Sequence, residues 1–156
     1  MEAGPAPGLL GYVEGQSVAW CAVAPREHFP VLERSRILRR VDGEPVWSVV
    51  CLFISKAWRK RGLSAEMLKA AALFAGKQGA RILEGYPVEA AKRKMPDVFA
   101  FTGLAESFRK TGFTEAARRS PTRPIMRCYL GSAAHPPARR RRRTNSTPGV
   151  SMRRRP

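Results

Sequence analysis

Carboxylates are scarce in this chain. Only 12 Asp and Glu stand against 29 Lys and Arg, for a formal net charge of +17. An anionic ligand or partner fits such a surface. Histidine is nearly absent. His28 and His135 have no partner pattern around them and read as exposed loop residues. Cysteine is represented three times, at Cys21, Cys51 and Cys128, each inside an apolar run. An odd count without any CxxC pair points to buried reduced thiols rather than a disulfide or a metal site. Long apolar runs are missing too. No segment approaches the ~18 residues of a membrane span. The start, MEAGPAPGLL, has neither a basic n-region nor a long apolar core. It therefore does not read as a secretory signal, and a cytoplasmic protein is expected.

What the chain does have is one strongly patterned stretch, Val46 to Gln78, within a length that leaves room for one domain. The run VWSVVCLFIS is β-branched and aromatic and long enough for a buried strand. KAWRKRG then makes a short basic turn ending in Gly62, and LSAEMLKAAALFAGKQ has helical periodicity. Leu63, Met67, Ala70, Ala71, Phe74 and Ala75 share one face by spacing. Gly79 stands where a left-handed C-cap belongs. A strand feeding a glycine turn into a helix leaves unpaired N–H groups at the positive end of the helix dipole. That is an anion site, and a phosphorylated cofactor is its usual occupant.

Around this centre the chain divides into a small, Pro/Gly-rich and disordered start (1–8), a folded body (9–130) and a disordered tail (131–156). Leu9 to Glu14 and Ser17 to Ala24 read as a hairpin about Gly15-Gln16. Pro25 to Leu38 reads as a loop with a helical turn, and Asp42-Gly43-Glu44-Pro45 as a turn. Ala80 to Val88 is expected to be a strand parallel and adjacent to the central one, because a helix connects the two. Glu89 to Val98 is polar and reads as a loop. Thr102 to Thr111 follows as a short helix capped by Thr102 and ended by Gly112. Thr114 to Arg118 and Ile125 to Leu130 close the fold as strands. The result is a mixed α/β domain, a meander running into a parallel pair.

The tail carries Arg139 to Arg143 and Arg153 to Arg155 without an acidic neighbour. Setting those eight aside leaves 21 basic against 12 acidic residues, a charge of +9 for residues 1–130. The body is basic in its own right. The tail reads first as a solvated, unselected extension, and its other reading is nonspecific polyanion binding through counterion release. It lacks the interleaved aromatics that would stack on bases.

This order of elements, with Arg59-Lys60-Arg61-Gly62-Leu63-Ser64-Ala65 after the central strand, resembles the GNAT superfamily of acetyl-CoA-dependent N-acetyltransferases. The heptapeptide follows the family's Arg/Gln-x-x-Gly-x-Gly/Ala loop, with Ser64 at the second small position. Phe108-Arg109-Lys110-Thr111-Gly112-Phe113 is similar to a second motif, aromatic-x-Lys-x-Gly-Phe. Glu84-Gly85-Tyr86-Pro87-Val88-Glu89 and Arg123-Pro124-Ile125-Met126 look like strand ends of one bacterial branch. The resemblance spans about residues 8–130. It implies a GNAT-like fold, acetyl-CoA as cosubstrate, no metal, and transfer of acetyl to a primary amine of a small molecule or protein. It also implies that Arg59 to Ala65 hold the diphosphate, that the backbone of the central strand at Cys51, Leu52 and Phe53 holds the pantetheine arm, and that Phe108 belongs to the cofactor-binding residues.

Acyl transfer needs a base to free the amine, donors for the oxyanion and, ideally, an acid for the departing thiolate. Glu84 is the best placed carboxylate; pairing with a neighbouring arginine is its other role. The family often has a tyrosine acid where this chain has Phe108, which has no proton to give. Tyr86 or Ser107 substitutes, or the thiolate leaves unaided, or the site is impaired. The family's domain also opens with a further strand and helices that wall the acceptor pocket, whereas few residues precede Leu9. Either the domain is N-terminally shortened, or a second copy of the chain (a homodimer) or the tail covers the exposed first strand. The competing function is therefore an impaired acyltransferase-like protein that acts by binding CoA or a polyanion such as nucleic acid.

Overall fold

The computed structural model describes residues 8–89 and 103–131. Expectations for residues 1–7, for 90–102 (most of the polar loop and the cap at Thr102) and for the tail from 132 onward lie outside the described residues. Six strands form one mixed sheet: β1 (Gly8–Val13), β2 (Gln16–Pro25), β3 (Trp47–Ile54), β4 (Ile82–Gly85), β5 (Thr114–Arg118) and β6 (Pro124–Tyr129). Their spatial order is β1-β2-β3-β4-β6-β5. Three helices accompany them: α1 (Pro30–Arg34), α2 (Leu63–Lys77) and α3 (Ala105–Lys110). The order of elements is the one the sequence predicts.

Several boundaries differ from expectation for local reasons. Gly8 pairs with Ala22, so the first strand begins one residue earlier. The hairpin turn is Glu14-Gly15, with φ of 49° and 77°, and Gln16 already pairs with Val13. A two-residue hairpin of type I′ has positive φ at both central positions, and Glu14-Gly15 meets this one residue back from Gly15-Gln16. β4 is only four residues long, because the chain leaves the sheet at Tyr86 to cross toward α3. There Val88 donates to the Gly103 carbonyl, and Ala105 to that of Val88. On α2, Leu68 is fully buried where periodicity favoured Ala70, which is exposed. The larger side chain takes the core position, and burying it contributes roughly 1.5–3 kcal/mol.

Both longer helices end in the same device. At the end of α2, Gly79 N–H bonds Gly76 C=O at 3.1 Å and Ala80 N–H bonds Ala75 C=O at 3.0 Å. At the end of α3, Gly112 (φ 92°) bonds Arg109 C=O and Phe113 bonds Phe108 C=O, at 3.2 and 3.1 Å. This is the Schellman arrangement, in which the residue after the glycine folds back onto the helix. Phe113 accordingly meets Phe108 edge to face, centroids 4.9 Å apart. The sequence Phe108 to Phe113 thus owes its spacing to a helix stop.

The main core lies between the sheet and α2, from Val18 and Cys21 through Leu52 to Leu83, Met126 and Phe113. A second cluster, around Leu32, Tyr86 and Ile125, is covered by Phe29, Leu38 and Val41. Its members alternate along β6 with those of the first, so it occupies the other face. β1 is a sheet edge, as expected. Its register aligns Leu10 with Trp20, and β2 aligns Trp20 with Phe53. All three are exposed to different degrees, as is Tyr12.

Candidate functional site

β3 and β4 run parallel but pair only through Trp47–Val49 against Leu83–Gly85. Beyond Gly85 the two part, and β3 continues alone on that side as far as Ile54. A cleft of about 890 Å³ lies along this further half of β3. Leu52, Phe53 and Ile54 of β3 form one wall. Gly103 and Leu104, with Ser107 and Lys110 of α3, form the opposite one. The turn residues Trp58, Arg59 and Lys60 and the start of α2, Gly62 to Ala65, complete it.

The α2 start is built to meet an anion. Gly62 has φ 79° and ψ 6°, a left-handed conformation that glycine adopts without penalty. The first N–H groups of a helix have no partner within it, and no side chain caps this one. No heavy atom lies within 4 Å of where a Cβ on Gly62 would stand, so a ligand can approach the backbone. Glu66, the acid of the first turn, is drawn to Lys69 at 3.2 Å. A nucleotide diphosphate fits this corner: open space, aligned N–H donors, the positive helix end and two cationic side chains in the wall. Arg59 is held by its Nε donating to Ile54 C=O at 3.0 Å. Arg61 is not in the wall; its guanidinium lies over Trp58, 4.9 Å from the ring centroid.

Four other expected site residues, Cys51, Glu84, Tyr86 and Phe108, lie outside the cleft lining. Cys51 is half-buried beside it, and burial raises its thiol pKa. Glu84 and Tyr86, expected as base and acid, are both 1% exposed and belong to a buried network. Arg26 donates to Glu84 Oε1 at 3.2 Å and to the Tyr86 hydroxyl at 2.8 Å. Tyr86 donates to Glu84 Oε1 at 2.8 Å, and Arg127 Nε donates to Oε2 at 2.8 Å. Because the phenol hydrogen is spent on Glu84, Ser48 is the donor in its 2.8 Å bond to Tyr86. Burial, and then the Glu84 charge, raise the Tyr86 pKa well above the ordinary phenol value. Both carboxylate oxygens of Glu84 are thus occupied by donors, an environment that matches the arginine-paired alternative for this residue.

The network reaches outward as well as across. Arg127 forks onto Asp42 at 2.8 and 2.9 Å, and this pair holds the Asp42 carboxyl below its usual range. Arg26 also donates to Glu33 Oε1 at 3.0 Å and to Leu38 C=O at 2.9 Å. β4, β6 and the segment from 26 to 42 are thereby tied together by charge. Phe108 also differs from expectation. It is fully buried, among Gly85, Gly103 and Phe113, instead of forming part of the open wall. Trp58, Ser107 and Lys110 are wall residues that sequence reasoning did not assign to cofactor binding. Helical spacing carries the signal for two of them: Ser107 and Lys110 are three apart, on one face of α3.

No family model matches the sequence, and no curated protein matches it. Solved structures do. A GNAT-family acetyltransferase from Streptococcus agalactiae superposes with a TM-score of 0.52 at 12% identity, over 81% of this chain and 66% of that one. A protein assigned to the same family, from Desulfovibrio desulfuricans, gives 0.51 at 12% identity, over 78% and 67%. A third, from Listeria monocytogenes, gives 0.51 at 10% identity, over 74% and 59%. The chain therefore has the GNAT acyltransferase fold, and it spans about two thirds or less of the length of these structures. No helix among the described residues is long and apolar enough to cross a membrane.

Proposed function

We propose that the protein is an acetyl-CoA-dependent N-acyltransferase acting on a primary amine. One observation carries this: the uncapped start of α2, with Gly62 in its left-handed conformation, opens onto the cleft between β3 and α3. Backbone N–H groups from Gly62 to Ala65 hold the diphosphate, and Arg59 and Lys60 add charge beside it. Leu52 and Phe53, together with Ile54, flank the pantetheine arm. Acetyl-CoA, when bound, supplies an activated acyl carbon on a sulfur leaving group. Ser107 and Lys110 are the proton-bearing groups that α3 adds to the cleft wall. Ser107 donates a hydrogen bond to the departing sulfur, in place of the acid that Phe108 is not. Glu84 and Tyr86 hold the sheet rather than handle protons. The protein is cytoplasmic in this proposal.

Isothermal titration with acetyl-CoA tests it. Saturable binding that free CoA displaces supports the proposal, and no heat at millimolar ligand ends it. The second reading, a CoA- or polyanion-binding protein with little or no turnover, is favoured by the sequestered Glu84 and Tyr86. Thiol release from acetyl-CoA across a panel of amines separates the two.

A further inference from the structure

We propose that two copies of this chain associate through β1, edge to edge and antiparallel, joining their sheets across a two-fold axis. The association stands whether or not the chain turns over acetyl-CoA. β1 is last in the sheet order and pairs only with β2, so among the described residues no strand lies against its outer side. Sheets guard such an edge with lysine, proline, a bulge or a covering segment, because its free N–H and C=O groups are a template for another strand. The sequence of β1, GLLGYV, has neither a proline nor a charged side chain. Its one irregularity falls between Gly11 and Tyr12, past the regularly paired run from Gly8 to Gly11.

The side chains beside this edge are apolar and uncovered. Leu9 and Val13 pack on the main core, and a Cβ on Gly11 would come within 2.8 Å of Met67 Sδ. Those three residues face α2, so Leu10 and Tyr12 face away from it. Leu10 is 55% exposed and Tyr12 62%. Register carries the row inward: Leu10 lies beside Trp20 and Trp20 beside Phe53, which are 36% and 50% exposed. Phe29, Leu38 and Val41 cover the part of this face over Tyr86 and Ile125 and leave the row open. A continuous apolar row on so charged a protein marks a contact surface.

Charge selects a second copy as the occupant. Residues 1–130 carry a net charge of +9, so two bodies repel through most of their surface. From Gly8 to Pro25, however, the only charged residue is Glu14. On this flank two basic copies meet without setting cation against cation. An acidic partner would seek arginine and lysine, and β1 and β2 offer neither. A two-fold axis sets Leu10 and Tyr12 beside the same residues of the other copy, so the two rows run on as one.

Sedimentation velocity and light scattering of the full chain test the proposal. The expected species has twice the mass of the 156-residue chain, in reversible exchange with the monomer. Added salt should tighten the association, because it screens the repulsion between the bodies and weakens no ion pair at the joint. Leu10→Lys is expected to weaken the dimer about tenfold or more, since two half-exposed leucines together bury the area of about one whole side chain. Tyr12→Lys should act in the same direction. Leu73→Lys, at an exposed leucine on α2, should leave the dimer intact. Should one β1 variant fail to fold, the other and the wild-type salt series carry the test. A wild-type monomer at every salt and protein concentration overturns the proposal. So does a dimer that folded β1 variants leave untouched. Association that weakens as salt rises also overturns it, and would point to the arginine-rich tail as the contact.

Discussion

Replacing Glu84 with glutamine keeps the shape of the side chain and removes its charge from the middle of a buried network. Three hydrogen bonds converge on this carboxylate, from Arg26, Tyr86 and Arg127. Glutamine can satisfy Arg26 and Tyr86 with its oxygen, but its NH₂ then faces Arg127 Nε, donor against donor. One charge-assisted bond is lost, worth about 1.5–3 kcal/mol. Removing one partner of a buried ion pair costs about 3–5 kcal/mol in total. Glu33 still partners Arg26 and Asp42 still partners Arg127, so the expected cost is at the lower end, about 3 kcal/mol. Against a domain stability of about 5–15 kcal/mol that is severe. Urea denaturation of wild type and Glu84→Gln, with equal slopes and shifted midpoints, measures it. CoA affinity of the folded variant should be unchanged. A loss below about 1 kcal/mol accompanied by collapsed turnover would refute the structural role and restore Glu84 as the base.

Gly62→Ala puts a Cβ where the diphosphate is proposed to approach and strains a φ of 79°. It should destabilise the fold by about 1–2 kcal/mol and weaken CoA binding about tenfold or more in calorimetry. Arg109 and Arg118 hold the Glu89 carboxyl at about 2, below its usual 4.5. The stability this group contributes is complete above pH 4.5 and is lost as pH falls toward 2. Solvent screens the group, so the contribution is about 1 kcal/mol or less. A pH series of denaturation midpoints on wild type and Glu89→Gln should diverge above pH 4.5 and converge toward pH 2, and parallel curves would contradict the assignment. Ser107→Ala should lower kcat about tenfold, the worth of one hydrogen bond, with KM for acetyl-CoA unmoved. A rise in KM alone would make Ser107 a binding residue.

Most of the fold was legible because its signals are local. The β-branched run from Val46, the glycine before α2 and the glycines after α2 and α3 act within a few residues of themselves. The same locality made the glycine corner at the start of α2 readable, since strand, turn and helix are consecutive. Arg26 was not readable. Its neighbours Glu27 and His28 are exposed, and its partner Glu84 lies 58 residues away. Nothing within the charged stretch after Pro25 marks that one arginine for burial. Phe108 shows a different limit. Its motif was recognisable, but whether the ring lines the cleft or is buried depends on Gly85 and Gly103, which tertiary packing brings to it. Leu68 and Ala70 on α2 show that spacing picks a face but not which rim residue is covered.

The central claim is that the backbone around Gly62 receives a nucleotide diphosphate in the cleft between β3 and α3. Amide chemical-shift mapping of the ¹⁵N-labelled full chain during titration with CoA tests it directly. The account predicts saturable shifts at Gly62, Leu63, Ser64 and Ala65, joined by Leu52 to Ile54. Shifts confined to the arginine-rich residues from 139 onward, with the Gly62 corner silent, would contradict it.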